Sequence, residues 1–171
     1  EISRKCGADI PFLRPDYLAE DHSKTIDVII DLINELSRID SSYDYLILLQ
    51  PTQPLRKAFH MDEAIKQTVD NNYKSLLSVS LVDDHPILIR TINSQGVLEN
   101  LLNINSTVRR QDFPTYYKVN GAIYINKIDE GFNEKTSLND NIHPYIMEKK
   151  YDLDIDDPFD LELLKLKLFL Y

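Results

Sequence analysis

Cysteine, glycine and basic charge are all scarce in this chain: one cysteine, four glycines, and 19 Lys plus Arg against 28 Asp plus Glu among 171 residues. The lone Cys6 excludes an internal disulfide framework and predicts a reducing, cytoplasmic setting. Four glycines and eight prolines exclude a collagen-like or low-complexity chain. The net charge of -9 removes the electrostatic footprint of a nucleic-acid binder. No apolar run is long enough to suggest a membrane span, and no basic-then-apolar leader opens the sequence. His22, His60, His85 and His143 lack metal-ligand spacing, and no Ser, His and Asp order suggests a nucleophilic triad. What remains is 43% hydrophobic and 27% charged, the composition and size of one folded domain spanning 1–171. An acidic protein still binds a phosphate-bearing molecule when a divalent cation sits between carboxylates and phosphate oxygens.

Apolar periodicity orders the chain. Ile10 to Leu13 reads as a short strand stopped by Arg14 and Pro15. Ser23 is a candidate cap for a helix with Ile26, Ile29, Ile30, Ile33 and Leu36 on one face and Asp27, Asp31 and Glu35 on the other. Tyr45 to Leu49 is unbroken and apolar on both faces, which favours a buried parallel strand. Met61, Ala64, Ile65 and Val69 mark a second helix, and Ser75 to Leu81 another strand. Strand, helix, strand, helix, strand is the pattern of an α/β fold with an open, mostly parallel, Rossmann-like sheet. Asp83 to Lys118 is polar, holds Pro86 and Pro114, and reads as an insertion. Ala122 to Asn126 and Tyr145 to Glu148 are further strands. Asp157 as cap and Pro158 in the first turn start a leucine-rich helix ending near Leu170. The chain opens on Glu1 already close to a strand-like run, which reads as an internal start.

Ligands of open α/β sheets collect at the carboxyl ends of strands. Arg14 and Asp21 follow the first run, Gln50, Thr52 and Arg56 the second, and Asp154 and Asp156 precede the last helix; three groups each have two readings. Asp154 and Asp156, two apart in an extended segment, project on one side and suit a shared magnesium ion; alternatively, acids gather there because they favour a helix start. The loop Gln50-Pro51-Thr52-Gln53-Pro54-Leu55-Arg56 holds two amides, a hydroxyl and a guanidinium between prolines. It suits a polar sugar, or is simply a rigid loop leading into a helix. Arg109 and Arg110 match a carboxylate ligand, or pair with surface acids.

Five motifs, in this order and spacing, resemble the acylneuraminate cytidylyltransferases, the CMP-sialic acid synthetases. They are Phe12-Leu13-Arg14-Pro15, Leu48-Leu49-Gln50-Pro51-Thr52, Arg109-Arg110-Gln111, Asn120-Gly121-Ala122-Ile123-Tyr124 and Asp154-Ile155-Asp156. The resemblance implies a fold of the nucleotide-diphospho-sugar transferase type. It also implies a reaction in which CTP and a nonulosonic, sialic-type acid give a CMP-sugar and pyrophosphate, with Mg2+ required. Asp154 and Asp156 would hold the metal and be catalytic, and Arg14 and Thr25 would lie near the cytidine nucleotide. Gln50, Thr52, Arg110, Asn120 and Tyr124 would face the sugar acid. A homodimer would form through 83–118, with Arg110 reaching the partner's sugar carboxylate.

Two departures from the family pattern stand out. The family's first strand and its phosphate-cradling loop have no counterpart before Glu1, so the natural protein is expected to have that segment. Where members specific for N-acetylneuraminate carry paired phenylalanines, this chain reads Ser137-Leu138, and Gln53 replaces the more usual serine. The acid therefore stays open, legionaminic acid included. The alternatives are a related nucleotidyltransferase for another sugar acid, such as an octulosonate, or a non-catalytic fragment that binds a CMP-sugar or dimerises.

Overall fold

The computed structural model describes residues 1–104, 107 and 109–170, with the side chain of residue 170 outside the description. The chain groups into two compact units, one formed by Glu1–Leu46 with Lys127–Ser137 and the other by Ile47–Asn126 with Leu138–Tyr171.

In the first unit, α1 is a single turn, Ile2–Lys5, and α2 spans Thr25–Arg38. Helix α2 buries Ile26 and Ile29, as its spacing predicts, while Leu18 is buried in the 3-10 turn Asp16–Leu18 before it. Two expectations fail here. Ile10 to Leu13 forms no strand; Pro11 and Pro15 withhold backbone donors, and Leu13 is exposed. Ser23 does not cap α2 either: its hydroxyl donates to Tyr17 O at 3.2 Å, and Lys24 occupies the cap position without a side-chain bond.

The second unit carries the core. A four-stranded sheet has the order β1-β5-β2-β6, where β1 is Tyr45–Leu48, β2 Ser75–Leu81, β5 Tyr117–Lys127 and β6 His143–Ile146. Strand β2 pairs parallel with β6 but antiparallel with β5, so the sheet is partly parallel rather than mostly so. Strand β1 is half-buried at one end of that order, not a two-faced core strand, and Ile47 is exposed. Leu76, Ile123 and Ile125 are the large apolar side chains most fully enclosed.

Helix α3, Ala58–Asp70, buries Ala64 as expected, but flanks it with His60 and Thr68 rather than Met61, Ile65 and Val69. Ile65 and Val69 stay exposed. The i, i+4, i+8 face is the same kind of stripe, but two of its three members are polar and satisfy themselves locally. His60 Nδ1 accepts from the Lys57 amide at 3.0 Å, and Thr68 Oγ1 donates to Ala64 O at 2.8 Å.

Within 83–118 a separate two-stranded hairpin forms, β3 Arg90–Ile92 against β4 Leu98–Asn100. Asn93 Oδ1 accepts the amides of Gln95 and Val97, and Gly96 turns the chain at φ 77. Residues 105, 106 and 108 of that expected insertion lie outside the described residues. Helix α4, Pro158–Leu170, starts as predicted: Asp157 Oδ1 accepts from Phe159 N at 2.7 Å and from Asp160 N at 3.1 Å. Among the described residues, no helix is long and apolar enough to cross a membrane.

Candidate functional site

The second unit's site is organised by an irregularity in β5. Leu77 pairs with Tyr124 and Val79 with Val119, so two steps along β2 match five along β5, and Asn120 to Ile123 bulge from the ladder. Gly121 makes the bulge possible with φ 73, and a Cβ there would overlap Gln50 Oε1.

A bulge frees backbone groups that must find partners once buried. Side chains supply them here. Ser78 Oγ accepts from Ile123 N at 2.8 Å and donates to Asn120 Oδ1 at 2.6 Å. Asn120 Oδ1 also accepts from Ala122 N at 3.1 Å, while Asn120 Nδ2 donates to Ser80 Oγ at 2.7 Å beside Met147 Sδ at 3.5 Å. Arg56 Nη1 donates to Ala122 O at 2.6 Å and to Gln50 O at 3.3 Å. The Arg56 guanidinium therefore fastens the Gln50 loop to the bulge, and its burial lowers its pKa.

The same loop is tied to the acidic segment. Ile155 N donates to Thr52 O at 2.9 Å, which places Asp154 and Asp156 on either side of that bond. Tyr124, at the far end of the bulge, is buried and donates its hydroxyl to Asn139 Oδ1 at 3.1 Å. Burial chiefly, and then the charge of Asp154, push the Tyr124 pKa up, so the phenol stays protonated at neutral pH. Gln50, Thr52, Tyr124, Asp154 and Asp156 thus belong to one connected arrangement around the bulge.

The two readings of the acids separate within this geometry. Asp157 and Asp160 serve the helix: Asp160 Oδ2 accepts from Asp156 N at 2.9 Å and Asp157 N at 3.1 Å, reciprocating the Asp157 cap. The Asp154 and Asp156 side chains are exposed, and neither carboxylate takes a hydrogen bond or ion pair among the described residues. Two free carboxylates, two apart on an extended segment, fit the hard oxygen set of magnesium, which commonly uses one or two carboxylates plus water and phosphate. Among the described residues, no group of three or more His, Cys, Asp or Glu assembles into a fuller metal cage.

The remaining residues fall elsewhere. Asn120 is 4% exposed, and its amide is committed to the bulge network. Arg109 takes the surface reading, pairing with Asp112 Oδ2 at 2.8 Å. Arg110 is exposed and lines a recess of about 300 Å3 with Asp83, His85, Phe113 and Tyr116. Arg14 and Thr25 belong to the first unit, both exposed, Thr25 as the first residue of α2. One residue escaped the assignment of roles. Gln53 is 1% exposed, and neither its Oε1 nor its Nε2 has a hydrogen-bond partner among the described residues. Its place in the loop, where a serine is more usual, was the one signal that pointed to it.

No protein-family model matches the chain. Individual proteins do. The chain is similar to a CMP-N,N'-diacetyllegionaminic acid synthase of Legionella pneumophila subsp. pneumophila, at 32% identity across 95% of this chain and 70% of that protein. It is 30% identical to an N-acylneuraminate cytidylyltransferase of Streptococcus agalactiae serotype V, across 91% of this chain. That match spans only 37% of the streptococcal protein. A pseudaminic acid cytidylyltransferase of Campylobacter jejuni subsp. jejuni is 25% identical across 97% of this chain and 72% of its own length.

Proposed function

This chain belongs to the acylneuraminate cytidylyltransferase family, and from that premise we propose that the protein activates a nonulosonic acid with CTP, giving a CMP-sugar and pyrophosphate. The observation that carries the proposal is the junction of three family motifs at one bulge. Arg56 ties the Gln50 loop to Ala122, and Ile155 ties Thr52 to the acidic pair. The fold is of the nucleotide-diphospho-sugar transferase type on this reading.

In the reaction the anomeric hydroxyl of the acid attacks the α-phosphorus of CTP and gives up its proton to solvent, a new P–O bond forms, and the bond to the β-phosphate oxygen breaks to release pyrophosphate. Such a transfer asks the protein mainly to position two anions and offset developing charge. Gln50 and Thr52 present amide and hydroxyl groups to the sugar acid. Tyr124, kept protonated by burial, offers a neutral hydroxyl there and takes no proton from the substrate. Asn120 contributes by holding the bulge that aims Gly121 and Tyr124. Asp154 and Asp156 would hold a magnesium ion, which supplies charge neutralisation at the phosphates when bound. Arg14 and Thr25 are assigned to the nucleotide.

The same reading makes the protein a homodimer joined through 83–118, with Arg110 reaching the partner's acid, working in the cytoplasm. The support for the dimer is the hairpin, on which Ile92, Val97 and Leu98 are exposed.

Pyrophosphate release by the complete protein, measured with CTP and a panel of nonulosonic and octulosonic acids, tests the activity. Turnover is expected with a nonulosonic acid, and Asp156→Asn should lower kcat by about 100-fold or more, the scale of a lost electrostatic group at a reacting centre. No turnover with any acid, or an Asp156→Asn protein as fast as wild type in saturating magnesium, would defeat the proposal.

A further inference from the structure

Gln53 is an anomaly of burial. A carboxamide brings two N–H donors and a carbonyl acceptor, and in this chain both its polar atoms are enclosed without a partner among the described residues. Leaving a buried polar group unpaired forfeits its solvation with nothing in return. Gln53 is the only residue of the described set with that defect. The neighbouring polar groups, Ser78, Ser80, Asn120, Asn126 and Asn141, are all hydrogen-bonded. The polar core is otherwise accounted for down to single atoms, so a stray amide inside it is not sloppy packing.

Its position gives the defect a meaning. The point where a Gly121 Cβ would stand overlaps Gln50 Oε1 and lies 3.8 Å from Gln53 Cγ, so both glutamine side chains approach the same glycine. Gln50 is half-buried and Gln53 fully enclosed. The Gln50 amide likewise has no hydrogen bond among the described residues. Two adjacent carboxamides with free donors and acceptors, an outer one and an inner one, therefore stand over the bulge that brings in Tyr124 and the acidic segment.

We propose that Gln53 is a positioning residue for the sugar acid: its buried carboxamide bonds to the Gln50 amide when Gln50 turns to a hydroxyl or acylamido group of the acid, fixing the orientation in which Gln50 reads that group. An amide can present either its carbonyl or its NH2 to a ligand, and the inner amide selects between them by occupying the complementary end. This deepens the proposed cytidylyltransferase reading and rests on it for the identity of the ligand. Apolar substitution at Gln53 removes the selection without removing Gln50, so the acid loses affinity while the nucleotide does not.

The test is Gln53→Leu in the complete protein, read in two ways. Leucine is close in size and cannot hydrogen-bond. Replacing an unpaired buried amide by an apolar group of similar shape leaves the fold equally or more stable, so the Tm of the ligand-free variant should match or exceed wild type. The KM for the acid should rise about tenfold, the scale of one lost hydrogen bond to a polar ligand. The KM for CTP should change less than twofold, and Gln53→Asn, too short to reach Gln50, should behave like the leucine variant. A fall in Tm together with equal changes in both KM values would assign Gln53 a purely structural role and overturn the proposal, as would an acid KM within twofold of wild type. Thermal shift by the sugar acid alone, at the same concentrations, keeps the two proposals apart. If wild type is shifted by the acid, the variant is not, and neither turns over CTP, then Gln53 stands and the activity falls. If the acid shifts both proteins equally, or neither, the inference about Gln53 is refuted whatever the turnover.

Discussion

His60 makes the stability of the second unit depend on pH in a predictable direction. The residue is 2% exposed, and its ring packs against Phe59, Tyr151 and Tyr145, with centroids 4.1, 4.5 and 6.3 Å away. Nδ1 accepts the Lys57 amide at 3.0 Å, satisfying a free donor at the start of α3. Lys57 itself has no side-chain acceptor to return the bond, so the cap rests on the imidazole alone. Protonation at Nδ1 abolishes that acceptor and buries a charge. Burial is the largest influence and lowers the ring's pKa below its ordinary 6.5; Glu63 and Glu148 oppose it, and Lys57 and Arg56 add to it.

With the folded value below the unfolded one, the unfolded chain binds the extra proton first. The stabilisation is therefore fully present above about pH 6.5 and is lost as pH falls through the folded pKa. The Tm of the wild-type protein should therefore be lower at pH 5.5 than at pH 7.5. The substitution His60→Gln separates the cap from the charge, because a glutamine side chain at this position still accepts the N-terminal amide but does not titrate. It should cost about 1–3 kcal/mol at pH 7.5 through lost ring packing, and the gap to wild type should narrow as pH falls. Thermal denaturation of both proteins at several pH values provides the comparison. A gap that stays constant from pH 7.5 to 5.5 refutes the argument, because other titrating groups are common to both proteins and cancel.

Two further substitutions probe the bulge and the hairpin. Gly121→Ala puts a Cβ onto Gln50 Oε1 at a positive φ, so it should destabilise by about 1–3 kcal/mol and raise the KM for the acid; an unchanged denaturation midpoint would show that the bulge relaxes freely. Ile92→Asp with Leu98→Asp charges the exposed cross-strand pair of the hairpin; on the proposed dimer, the complete protein should be dimeric as wild type and monomeric as this variant in light scattering with its circular dichroism kept, and an unchanged oligomeric state would refute that interface.

Helix α2 and strand β2 were legible because their apolar spacing coincides with what the fold buries: Ile26 and Ile29 in one, Leu76, Leu77 and Val79 in the other. Helix α3 was legible as a helix but not in its orientation. Periodicity weighs Met61, Ala64, Ile65 and Val69 as apolar, whereas the buried stripe keeps only Ala64 of these and adds His60 and Thr68, acceptable because local hydrogen bonds offset the cost of enclosing an imidazole and a hydroxyl. The length of β5 was hidden for a related reason. The expected strand begins only at Ala122, yet β5 runs from Tyr117 through Asn120-Gly121 as a bulge whose freed groups are met by Ser78 and Arg56, residues 42 and 66 positions away in sequence. Distant partners of that kind leave no local pattern. Ile10 to Leu13 shows the converse, a local pattern for which Pro11 and Pro15 leave too few donors to build a ladder.

Accounting for each polar group sorts the site's residues more sharply than their chemical type does. Arg56 and Asn120 look like ligand-binding side chains, but Arg56 Nη1 and the Asn120 amide are engaged inside the protein, on Gln50 O, Ala122 O, Ser78 and Ser80. Asp157 and Asp160 are spent likewise on the start of α4. Gln50, Gln53, Asp154 and Asp156 keep their side-chain capacity unspent among the described residues, and they sit on the two loops joined by the bond from Ile155 N to Thr52 O. A structural role predicts that a polar group is saturated by its own chain; a ligand-directed role predicts that it is held in place by its backbone and left open at its tip. On the proposed function, Arg56 and Asn120 build the bulge, while Gln50, Gln53, Asp154 and Asp156 are the side chains left open toward the ligands.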